Sequence, residues 1–175
     1  MKTINFGKAT WLSAMIIAIS LVVISCYKNR DYTNSSTTYA LSGNASGAQE
    51  TPPNSSMATG TLTGSYNAST NSLQYNINWT GLTGVVTGMH FHGPASMGVS
   101  ADILVGLDVT TNGISGNGSG TITVNDAFET ALLAGQVYYN IHTALYPAGE
   151  IRGQVSAKGS GGTGGGGTGG GGGGY

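Results

Sequence analysis

From Ser72 to Thr80, apolar and polar residues alternate without a break. Leu73, Tyr75, Ile77 and Trp79 take one parity, and Ser72, Gln74, Asn76, Asn78 and Thr80 take the other. A chain whose side chains change sides at every residue is a strand with one face in a core. The same period recurs along the chain. Ala58, Leu62 and Tyr66 share a parity and lead through the turn at residues 67–71 into that strand, which makes a hairpin. Val85, Met89 and Phe91 stand against Val86, Gly88, His90 and His92, and Ile103, Val105, Leu107 and Val109 against Asp102, Leu104, Gly106 and Asp108. Ile122 and Val124 close a glycine-rich strand. Val137, Tyr139 and Ile141 oppose Gln136, Tyr138, Asn140 and His142, and Ile151 and Val155 oppose Glu150, Arg152 and Gln154. One segment reads as a helix: Asn125 as N-cap, acids at 126 and 129 near the positive end of the dipole, Phe128 and Leu132 four apart, and Gly135 to end it. Short strands between Gly, Asn, Pro and Ser turns, with a single helix, predict an all-β antiparallel sandwich or barrel.

The two ends of the chain break this pattern. Lys2 and Lys8 precede an apolar stretch from Trp11 to Ile24 that is interrupted by Ser13 and Ser20, and Val23-Ile24-Ser25-Cys26 follows. A short apolar run behind positive charges, ending in a small residue, reads as an export signal. The last four residues resemble the bacterial lipobox, which implies that residues 1–25 are a lipoprotein signal peptide and that Cys26 carries the lipid. Each buried acyl methylene is worth about 0.8 kcal/mol, so several chains anchor durably. The expected location is therefore the extracytoplasmic face of a membrane in the cell envelope, held through Cys26. Residues 26–40 are polar and without apolar periodicity, so a flexible tether is expected. At the other end, 13 of the 17 residues from Gly159 to Tyr175 are glycine. Such a tail has almost no side chains to bury and loses the most entropy on ordering, so disorder is expected there. The folded domain is expected over 41–158.

Composition narrows the function. Only 7% of the residues are charged, and within 41–157 six acidic residues face Arg152 alone. That excess disfavours nucleic acid as a partner. A single cysteine excludes a disulfide framework and a cysteine-rich zinc module. No phosphate-cradling loop and no nucleophile elbow occurs: Gly116 to Gly120 lack the lysine and helix that a P-loop needs.

Three stretches carry a resemblance. They are Leu41-Ser42-Gly43 through Gln49-Glu50-Thr51-Pro52-Pro53, then Gly81-Leu82-Thr83-Gly84 through His90-Phe91-His92-Gly93-Pro94. The third runs from Leu132-Leu133-Ala134-Gly135 through Tyr139-Asn140-Ile141-His142-Thr143 to Pro147-Ala148-Gly149-Glu150-Ile151-Arg152-Gly153-Gln154. In this order they resemble the chordin-type CHRD domain over nearly the whole folded unit. The resemblance implies an immunoglobulin-like or superoxide-dismutase-like β-sandwich with no settled activity, acting as a binding or structural module on an unidentified envelope or extracellular partner. The growth-factor antagonism of animal chordin does not transfer with the fold.

All three histidines fall in these stretches. His90 and His92 share a strand face, about 6.6 Å apart along it, and His142 lies opposite the apolar face of its own strand. If the two strands are neighbours, three imidazoles converge outside the core. Such a set suits copper or zinc, and a three-histidine site with an open position is a known zinc arrangement. The other reading has the histidines as hydrogen-bonding groups beside Gly93-Pro94 and Pro147. A complete dismutase site is not expected, because that family needs more histidines and a disulfide. Around the histidines, Tyr138, Asn140, Glu150 and Arg152 are expected as a second shell, with an exposed Glu150–Arg152 ion pair as the alternative. Tyr138 is the surface candidate on that face. Glu50 can support a site or merely end a strand before a rigid turn. Asp102 and Asp108 are expected to be solvated.

Overall fold

The computed structural model describes residues 37–159. Nine strands form one sheet: β1 (Thr38–Ser46), β2 (Thr59–Asn67), β3 (Ser72–Thr80), β4 (Val86–His92), β5 (Ile103–Gly106), β6 (Gly116–Thr123), β7 (Tyr138–Thr143), β8 (Ile151–Gln154) and β9 (Ser156–Gly159). The order is β5-β4-β7-β8-β1-β2-β3-β6, with β9 continuing β8 along β1, and every pairing is antiparallel. The helix α1 (Asp126–Leu133) is capped as its sequence indicates. Asn125 Oδ1 accepts from the Phe128 N–H at 2.9 Å, and Gly135, at φ +70°, lets residues 135 and 136 bond back to Leu132 and Ala131. The predicted all-β class with one short helix stands. Its form is one sheet curled towards a barrel.

The curl brings the two edges together. After β5 the chain runs on beside β6, where the Thr110 and Thr111 N–H groups both donate to the Asn117 carbonyl at 2.9 Å. Gly118 makes this approach possible, since a Cβ there would stand 2.3 Å from the Asp108 carbonyl oxygen and 2.4 Å from Met89 Cε. The glycines of β6 thus serve closure rather than flexibility. Inside the curl lie Leu62, Tyr66, Leu73, Ile77, Met89, Phe91, Tyr139, Ile141 and Ile151, with α1 adding Phe128 and Leu132.

Three sequence expectations need correction. Val85 does not face the core; it is 58% exposed, and Val86 is buried in its place. Pairing between β4 and β7 shifts between Val86 and Gly88, and this bulge inverts the parity at the strand's start. Ile103 is also exposed, because a second shift, between Phe91 and His92, sets two residues of β5 against one of β4 on an edge strand. Finally, Thr38 to Ala40 belong to β1 and Gly159 to β9, so the ordered unit reaches into the expected tether and tail. The signal peptide, Cys26 and residues 160–175 lie outside the described residues. Among the described residues no helix is long and apolar enough to cross a membrane.

Candidate metal centre

Strands β4 and β7 are neighbours, in the register that puts His90 opposite Asn140, Gly88 opposite His142 and His92 opposite Tyr138. Alternation then sends Met89, Phe91, Tyr139 and Ile141 into the core and His90, His92, Asn140 and His142 to the other face. One ligand atom from each histidine lies within 4.8 Å of the others. His90 Nδ1 and His142 Nε2 are 3.1 Å apart, with ring centroids 4.9 Å apart. Gly88, between them across the strands, leaves room: a Cβ there would stand 3.1 Å from His90 Cε1.

This outer face is not open surface. The loop 93–102 folds over it and brings the Ala101 carbonyl to 3.0 Å from His92 Nδ1, while Asn140 Oδ1 lies 3.0 Å from His92 Nε2. His142 Nδ1 lies 3.0 Å from the Pro147 carbonyl. Carbonyl oxygens only accept, so in both rings Nδ1 carries a hydrogen and Nε2 points into the box. Burial holds His90 below the ordinary imidazole value, and the positive charge that protonated His142 and His92 would add pushes the same way. Burial also lowers His142, against the opposing hydrogen bond to Pro147. These two rings are therefore neutral at pH 7, the form that ligates.

The expected second shell divides. Tyr138 is buried rather than a surface residue. Its ring stacks on His92 at 4.9 Å between centroids, and its hydroxyl donates to the same Ala101 carbonyl at 3.2 Å. Arg152, 2% exposed, lies over the other side of that ring at 3.5 Å and reaches Thr51 Oγ1 and the Ser96 carbonyl. Asn140 touches His92 directly. Glu150 has a different place. It is fully buried and accepts from Ser56, the Thr83 N–H, the Thr83 hydroxyl and Thr143, all between 2.6 and 2.9 Å. Burial opposes ionisation there, yet those donors outweigh it and hold the carboxyl below its usual range. The exposed Glu150–Arg152 pair does not exist: Glu150 ties loops to β7, and Arg152 braces Tyr138. Asp102 and Asp108 are exposed, as expected.

Glu50 carries more than its sequence position indicated. It is 8% exposed, and burial pushes its carboxyl up to about 7, although the nearby Arg152 charge and the Thr51 N–H pull it down. Its Oε1 has no hydrogen-bond partner among the described residues. Gly149 admits it, since a Cβ there would stand 2.4 Å from Oε1 and 2.9 Å from Asn140 Nδ2. The signal in the sequence was an acid before Thr51-Pro52-Pro53 and a glycine before Glu150, neither of which alternation can interpret.

All of these residues lie inside one stretch of the chain, residues 41–155, and that stretch is matched by the model of the CHRD domain. The chain belongs to the CHRD domain family. No curated protein and no solved structure matches it. Within the CHRD domain the histidine box, the Glu150 anchor and the Glu50–Arg152 region all sit on, or lead into, the three strands β4, β7 and β8.

Proposed function

We propose that this CHRD protein is a binding module of the cell envelope that holds one copper or zinc ion on His90, His92 and His142. One observation carries the reading: His92 and His142 each commit Nδ1 to a backbone carbonyl, of Ala101 and Pro147, and so turn Nε2 into the box, towards Asn140 and His90. Metal-ligating histidines are oriented in this way by their other nitrogen. The lowered proton affinity of His90 and His142 works in the same direction. Cys26, behind an export-type leader, supports lipid attachment to a membrane and an extracytoplasmic partner, and that end of the chain is outside the described residues. The reading assigns no catalysis.

A second reading has its own support. The same two hydrogen bonds fasten the loop 93–102 and the turn at 144–149 to the sheet, which is what purely structural histidines would do. Equilibrium dialysis against copper or zinc followed by elemental analysis separates the two. We expect one ion per wild-type chain and none in the His90→Ala/His142→Ala double variant. No uptake by the wild type, or equal uptake by both, leaves the bracing role alone. For the anchor, Cys26→Ser should move the protein from the membrane to the soluble envelope fraction, and an unchanged distribution would remove lipidation.

A further inference from the structure

The face that holds the histidines carries a fourth donor. Asn140 stands directly across from His90 and two residues before His142, so its side chain joins theirs. Its Oδ1 is 3.0 Å from His92 Nε2. His92 Nδ1 lies 3.0 Å from the Ala101 carbonyl, which fixes the ring with Nε2 turned into the box beside Asn140. Imidazole nitrogen and carbonyl-type oxygen are both donor atoms for a metal ion.

Glu50 Oε1 and Asn140 Nδ2 both stand close to the point where a Gly149 Cβ would be, at 2.4 and 2.9 Å, so the glycine makes room for both side chains. At the other corner of the box, His142 Nε2 is 3.1 Å from His90 Nδ1. Tetrahedral bonds of about 2.0–2.2 Å put neighbouring donors roughly 3.3–3.6 Å apart, so each of these two pairs stands within a few tenths of an ångström of that spacing.

Resting on the metal reading above, we propose that Asn140 Oδ1 is the fourth protein ligand. The site is then a closed set of three imidazoles and one amide oxygen for a divalent zinc or copper ion. Closed four-donor sites hold a metal, whereas catalytic ones keep a position open. The class of function this assigns is metal retention.

Cobalt(II) and zinc titrations of the full chain, with Asn140→Leu and Asn140→Asp beside it, test this. Thermal melts without metal establish that each variant folds. We expect wild-type protein to take one cobalt ion with the intense visible bands of a four-coordinate site. Asn140→Leu should still take one ion, with affinity at least about tenfold lower and altered bands. Asn140→Asp, which keeps the oxygen and adds charge, should bind at least as tightly as the wild type. Equal affinity and identical bands in wild type and Asn140→Leu would overturn the fourth ligand while leaving the three histidines in place. Should the leucine variant not fold, an aspartate variant that binds more weakly than the wild type would overturn it. A wild type that takes up no metal ends both this inference and the reading it rests on.

Discussion

Glu50 is the side chain whose environment departs furthest from what its position in the sequence indicates. Its folded carboxyl titrates at about 7 against 4.5 for the free group, so folding favours the protonated form. The stability this brings is complete below pH 4.5 and is lost as pH rises through about 7, a difference on the order of 3 kcal/mol. Glu50→Gln should therefore match the wild type near pH 4 and exceed it in stability above pH 7, as read by urea unfolding across that range. Parallel curves for the two proteins would show that the carboxyl is not held in its protonated form. His90 and His142 act in the opposite sense. Their folded values lie below 6.5, so their contribution is complete above 6.5 and lost as pH falls through the folded values. The period of two was enough to set His90, His92, Asn140 and His142 on one face of β4 and β7, but it could not show that Tyr138, of the same parity, is covered. Glu50 and Gly149 were illegible because their contact joins two turns about a hundred residues apart, and no local pattern encodes it.

The elements that alternate most regularly, β2, β3 and β7, are those the sequence placed best, and the reason is where they sit. Each is paired on both sides, so nothing local disturbs its register. The errors fell at β4 and β5, where one extra residue in either strand shifts the pairing and reverses which side chains face inward. In glycine-rich β6 the bare backbone is what the returning segment at 108–111 packs against. Gly118→Ala tests that account. A Cβ 2.3 Å from the Asp108 carbonyl forces the closing segment away, and we expect a loss of about 1–3 kcal/mol in urea unfolding. A change below about 0.5 kcal/mol would mean that the edges can separate without consequence.

The folded unit as a whole is a curled sheet whose apolar interior is separated by a single strand layer from a buried polar box. The same two strands, β4 and β7, give the core Phe91 and Tyr139 and give the box its imidazoles, so anything that holds the box together also holds the sheet. A ligand that binds only the folded state adds RT ln(1 + [L]/Kd), about 2.7 kcal/mol at a hundredfold excess over Kd. Zinc should accordingly raise the melting temperature of the wild type, reversibly with chelator, and leave the His90→Ala/His142→Ala variant unmoved. An equal shift in both would place the ion elsewhere. The most direct test of the central claim is long-range proton–nitrogen NMR of the imidazole rings during zinc addition. The account predicts that all three histidines change together and stop changing at one equivalent, with His92 and His142 keeping their Nδ1 hydrogens and binding through Nε2. Rings that do not respond, or His92 and His142 binding through Nδ1, would contradict it.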